Sequence, residues 1–187
     1  MKKLRYDPCL FSFTCLMAAF IACSSSRAES SDTAGESLEQ RRKSARMLNN
    51  EGVKDLALLD YAGAVSKLEA ALALIPDYKI ARANLGVAYN NRGLSLQKKP
   101  YEAITFFHHA LYLDPQNDTT KANLEGIILK MGKKPDLFSD RVSLGNDAVL
   151  AGDFKGGVVE FRAALALKED PKVRAKLEKT LSKIGSK

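Results

Sequence analysis

Apolar residues recur along most of this chain at spacings of three and four. Val65, Leu68 and Leu72 mark one such stripe, and Val173, Leu177, Leu181 and Ile184 mark another. Those intervals bring side chains onto one face of an α-helix. Around the second stripe lie Lys172, Arg174, Lys176, Lys179, Lys183 and Lys187, so the last segment reads as an amphipathic helix with a solvated basic side, opened by Pro171 in its first turn. The stretches between are rich in Ala, Leu, Lys and Glu, residues that lose little entropy in a helix. The pattern predicts an all-α protein.

The chain also repeats itself. DYAGAVSKLEAALAL at Asp60–Leu74 and DFKGGVVEFRAALAL at Asp153–Leu167 agree at eight of fifteen positions, 93 residues apart. Each is preceded by a second helical segment carrying a glycine, Gly52 or Gly145, eight residues before its aspartate. The unit is therefore a pair of helices. A single pair is too thin to cover its apolar stripe, so stability comes from stacking on the next pair, with a polar cap at the end.

This unit resembles the tetratricopeptide repeat, a 34-residue helix-turn-helix with small residues at positions 8, 20 and 27, a large one at 24 and often Pro at 32. Gly52, Ala64, Leu68, Ala71 and Pro76 hold those positions in a copy spanning about 45–78. A second copy, about 79–117, has Leu85-Gly86 and Tyr89, then Ala103, Phe107, Ala110 and Pro115. It is five residues too long. The excess lies around Gly93 to Pro100, in either an extended first helix or an enlarged loop. Ala122-Asn123-Leu124 matches Ala83-Asn84-Leu85, but Gly132-Lys133-Lys134-Pro135 breaks the pattern, so 118–131 reads as a half repeat. A third copy covers 138–171, with Leu144-Gly145, Gly157, Phe161 and Ala164, and 171–185 is the cap. The resemblance implies a short right-handed α-α superhelix of about three helix pairs, the half repeat and the capping helix.

Composition fits one domain at 45–187: the chain has 187 residues, is 45% apolar and 27% charged, and has no Trp. The amino-terminal segment has a different character. Lys2, Lys3 and Arg5 precede an apolar run from Cys9 to Ala22, too short for a permanent span and of signal-peptide form, so 1–22 is read as a leader. Its end, Phe20-Ile21-Ala22-Cys23-Ser24, resembles the lipobox of bacterial lipoproteins, which implies a lipid on Cys23 and a membrane-anchored periplasmic or surface protein. Phe20 departs from the aliphatic residue usual there. Cleavage after Ala28, giving a soluble secreted protein, and an uncleaved anchor are the alternatives. All three place the body outside the cytoplasm. Residues 24 to about 36 are small and polar and read as a tether, within a segment 23–44 that runs into the first helix.

Chemistry is sparse. All three cysteines lie in the first 23 residues, so the body can form neither an internal disulfide nor a thiolate metal site. His108 and His109, adjacent on a helix, point about 100° apart and cannot share a ligand, and they are expected on a partly solvated outer face. No nucleophile with an assignable base, phosphate loop or HExxH is present, so no enzyme activity, cofactor or metal is expected. The formal charge of +7 falls to +5 once the leader is removed, and it selects no class of partner. Nucleic acid is disfavoured by export and by the lack of interleaved aromatics on the basic helix. That helix has either a solvated cap face or a contact for headgroups or an acidic partner.

In the family that the repeats resemble, first helices line a concave groove through positions 2, 5, 9, 12 and 13. Here these are Arg46, Asn49, Val53, Leu56 and Ala57; Ile80, Ala83, Val87, Asn90 and Asn91; and Ser139, Val142, Asn146, Val149 and Leu150. Amides that pair with a peptide backbone, mixed with weak aliphatic pockets, imply an extended or helical segment of another protein as partner. Only Arg46 is charged, so the cationic clamp that grips a terminal carboxylate is missing. The turn between Gly93 and Tyr101 is a second candidate contact. The resemblance implies a membrane-tethered adaptor or scaffold; the alternatives are a small-molecule or lipid-binding accessory of a transport system and a structural self-assembly unit.

Overall fold

The computed structural model describes residues 37–185. Among them it has eight helices and no strand: α1 (Leu38–Ala57), α2 (Tyr61–Leu74), α3 (Lys79–Ser95), α4 (Pro100–Leu113), α5 (Asp118–Lys130), α6 (Phe138–Leu150), α7 (Phe154–Leu167) and α8 (Pro171–Gly185). The expected all-α stack of paired helices is what forms. Cys23, the leader and most of the tether lie outside the described residues. No helix among the described residues is long and apolar enough to cross a membrane.

Local sequence sets the helix starts. Ser37 and Gln40 form a reciprocal capping box that opens α1, two turns before Ala45. Asp60 and Asp153 cap α2 and α7 by accepting from the amides of Gly63 and Gly156, at 3.0 and 2.9 Å. Asn117 does the same for α5 through Thr120, while α4 starts on Pro100 with no side-chain cap. The turn after α1 places Leu59 at φ 63, where the turn after α6 uses Gly152 at φ 82. Only the glycine takes this left-handed conformation without steric cost.

The pairs close on glycine. A Cβ on Gly52 would lie 2.7 Å from Leu68, and one on Gly145 would lie 2.5 Å from Phe161, so the missing side chain is what lets a large residue of the second helix seat. In the middle pair this role belongs to Gly93, where a Cβ would lie 2.8 Å from the Phe107 ring, and not to Gly86, whose Cβ would meet nothing within 4 Å. The extra length of the second copy is therefore in the helix: α3 has 17 residues against 13 for α6. The register moves by seven residues, two turns, which rotates a helix face by only about 20°. Asn49-Asn50-x-Gly52 thus corresponds to Asn90-Asn91-x-Gly93. At Gly157 a Cβ would meet Val149 at 2.5 Å, so glycine stands there because α6 presents a β-branched neighbour.

Helices pack in chain order from α1 to α5 and again from α6 to α8, and α7 lies against α4. The core is rich in alanine. Ala45, Ala64, Ala71, Ala81 and Ala88 are buried with Leu68, Leu85 and Tyr89 in the first two pairs; Phe107, Leu124, Ile127, Ile128 and Leu144 join α4, α5 and α6. Phe161, Ala164 and Val173 join α7 to α8. Small residues shorten the interhelix distance, and each buried Phe or Leu then contributes about 2–3 kcal/mol by leaving water.

Candidate partner-binding groove

Two identical amide relays run between first helices. Asn84 of α3 donates Nδ2 to Asn49 Oδ1 at 2.9 Å, and Asn49 Nδ2 donates to Asn50 Oδ1 at 3.3 Å. One repeat on, Asn123 of α5 donates to Asn90 at 2.9 Å, and Asn90 donates to Asn91 at 3.4 Å. Each relay uses the middle amide and leaves the carbonyl of Asn84 or Asn123 and the amino group of Asn50 or Asn91 at its ends. A donor and an acceptor at each step match what a peptide backbone offers.

Apolar side chains stand beside these relays. Val53, Ile80 and Val87 are 42%, 60% and 51% exposed, high values for aliphatic residues on packed helices. Between α3 and α5 lies an open groove of about 620 Å³, lined by Ala83, Gly86 and Val87 on one side and Asn117 and Thr120 on the other. Asp77, Lys79, Arg82 and Asp114 add charges of both signs to its lining. Gly86 keeps the groove deep, because no atom lies where its side chain would project.

The remaining residues expected in the groove fall in several environments. Arg46 is exposed, Asn91 half-buried, and Leu56 is packed half-buried against the first core cluster. Asn49 is buried, with its side chain held by Asn84 and Asn50. The third copy belongs to a different surface. Asn146 accepts from Lys176 of α8 at 2.8 Å, and with Val149, Leu150 and Lys179 it lines a separate groove of about 360 Å³ between α6 and α8. Ser139 is exposed, and Val142 packs against the Phe161 cluster. The amide relays and the α3–α5 groove gather residues of α1, α3 and α5, whereas Asn146 sits with α8. The cause is the half repeat: α5 lacks a second helix of its own, and α7 packs on α4 instead.

The expectation of a solvated outer face for the two histidines is corrected for His108, which is 2% exposed. It sits where α7 meets α4. His108 Nε2 is 2.7 Å from Glu160 Oε1, and Arg141 of α6 donates Nη1 to Glu160 Oε2 at 3.1 Å. Asp153 stands 3.6 Å from His108 Nδ1, too long for a hydrogen bond, and bonds His109 Nε2 at 3.1 Å. Burial alone would push His108 toward its neutral form, but the carboxylates of Asp153 and Glu160 override it and lift its pKa to about 9. Glu160 and Asp153 are held below the usual carboxylate range, since His108 with Arg141 in one case, and His108, His109 and the Gly156 amide in the other, outweigh burial. Gly156 permits the cluster, because a Cβ there would strike Asp153 at 2.3 Å and His108 at 2.5 Å. Among the described residues no group of three or more acids, His or Cys could hold a metal ion. The cluster is an ionic joint with His108 and Glu160 buried at its centre, while His109 and Asp153 at one edge and Arg141 at another line surface grooves. An i to i+4 test along one helix could not reveal it, because its members come from α4, α6 and α7.

A scan against protein-family models gives no match, and no curated protein matches the chain.

Proposed function

We propose that this chain is an exported, membrane-tethered adaptor of tetratricopeptide-repeat type, lipidated at Cys23, whose groove over α1, α3 and α5 holds an extended segment of another protein. The repeat resemblance supports the class. The observation that carries the partner chemistry is the pair of amide relays beside Val53, Ile80 and Val87. Packed helices generally lie about 8–10 Å apart, a distance that about three residues of extended chain span, so one extended segment can reach successive relays. Aliphatic side chains of the segment then enter the space above Gly86.

The test is affinity capture with the full chain and with Gly86→Phe, which fills the groove from a position where a Cβ meets nothing within 4 Å. The expected result is loss of the captured partner with helicity and melting unchanged, and a comparable loss for Asn84→Ala combined with Asn123→Ala. A partner retained by both variants would overturn the groove. The tether is tested separately: Cys23→Ala should move the protein from the membrane to the soluble fraction while the groove still binds.

A further inference from the structure

A second groove, of about 570 Å³, opens on α7 and is unrelated to the amide relays. It lies among the end of α4, the side of α5, the turn before α6 and the outer face of α7. Leu111 and Leu124 form one wall, and Val159, Ala163, Ala166 and Leu167 form the other. The two alanines hold it open; Leu167 remains 47% exposed on its margin. The volume falls within the range of small-molecule sites, about 300–1,000 Å³.

Two guanidinium groups face this apolar space. Arg141 is buried, with Nε bonded to the Pro135 carbonyl at 2.7 Å and Nη1 to Glu160 at 3.1 Å. Its third nitrogen, Nη2, has Glu125 at 3.8 Å, an ion-pair distance that leaves its N–H groups without a hydrogen bond to that carboxylate. Arg162 is exposed on the rim, with no ion-pair partner among the described residues. The corresponding residue of α2 is Glu69, which is tied to Tyr89. Lys121, the other cation of the lining, is engaged by Asp118 at 3.1 Å. The acids Glu125 and Asp136 lie on the α5 side and in the turn before α6. An anion is therefore directed toward the α7 side of the mouth.

We infer that this groove binds a single-chain anionic amphiphile, with its acyl tail along Leu111, Leu124, Val159 and Ala163 and its carboxylate or phosphate head at Arg162 and the Nη2 of Arg141. The tail removes apolar surface from water, and the head supplies an acceptor for Arg162 and for Nη2 of Arg141, the one nitrogen of that group without a hydrogen bond. The assignment is independent of the peptide groove.

The chain contains no Trp, so Gln116→Trp on the rim provides a single local reporter in the full-length protein. Laurate below its micelle concentration should shift its emission and saturate at one per chain. Lysophosphatidic acid as a second arm identifies the head: tighter binding than laurate marks a phosphate ligand, and weaker binding marks a free fatty acid. Arg162→Glu, a surface change, should weaken either ligand at least tenfold, and Ala163→Phe should abolish the response. Dodecyltrimethylammonium should give none. No saturable shift, an equal response to the cationic amphiphile, or indifference to Arg162→Glu would each overturn the proposal.

Discussion

The α1–α2 and α6–α7 pairs carry the clearest repeat in the chain, with their second-helix segments agreeing at eight of fifteen positions, and they end with different interiors. Both close on a glycine, Gly52 against Leu68 and Gly145 against Phe161, and both second helices open on an Asp-x-x-Gly cap. Lys67 and Glu160 hold the same place in the repeat. Lys67 reaches solvent and pairs with Asp55 at 2.8 Å and Glu51 at 3.8 Å, while Glu160 is 0% exposed and is shared by His108 and Arg141. The difference lies in the neighbour: α4 covers α7, and no comparable helix covers α2 on that side. A repeat position thus fixes where a side chain points, but the stacking fixes what it must pair with.

Exchanging the two charges breaks the comparison most sharply. Glu160→Lys places a third cation between His108 and Arg141, and it should cost about 3–5 kcal/mol in urea unfolding, enough to undo the α4–α7 joint. Lys67→Glu, set between Asp55 and Glu51 in solvent, should shift the urea midpoint only slightly. A midpoint that falls equally in the two variants would mean that the joint is not what distinguishes the pairs.

The next largest effect is on pH. His108 has its pKa raised from 6.5 to about 9 in the folded state, so its contribution is complete below about pH 6.5 and is lost as pH rises through 9. The expected loss is on the order of 3 kcal/mol across that window, and His108→Gln should flatten it. Asp153 and Glu160 work in the other direction: their contribution is present above the ordinary carboxylate range and is lost as pH falls toward their depressed values. Stability measured against pH should therefore peak between the two flanks.

Smaller effects test the close approaches and the turns. Gly145→Ala drives a methyl into the Phe161 ring and should cost about 1–3 kcal/mol, more than Gly52→Ala, where Leu68 can turn aside. Gly86→Ala, which meets nothing, should stabilise α3 by about 0.5–1 kcal/mol. Leu59→Gly relieves a left-handed leucine that is 69% exposed and should add about 1 kcal/mol, whereas Gly152→Leu should lose a similar amount. Thermal melts of the two turn variants with opposite signs would confirm that one backbone geometry is held in both pairs.

The fold class, the pairing of helices and the break after α5 were legible in the sequence, because each follows from residues near one another: apolar stripes, the repeated Asp-x-x-Gly start, and Gly132 to Pro135. The register of α3 was less so. Gly86 and Gly93 lie two turns apart on nearly the same face, and only the position of Phe107 on α4 distinguishes them. Asn49 and Asn90 were placed on the first-helix face by the repeat resemblance, yet their bonds to Asn84 and Asn123 depend on how neighbouring helices are offset. His108 was misplaced for the same reason, since its environment is made by Glu160 of α7, 52 residues away. Periodicity and capping act within a few residues and so belong to the sequence; burial of charge, the division of the concave face and the shape of the grooves are set by contacts between distant helices, and these were decided only when α7 packed on α4.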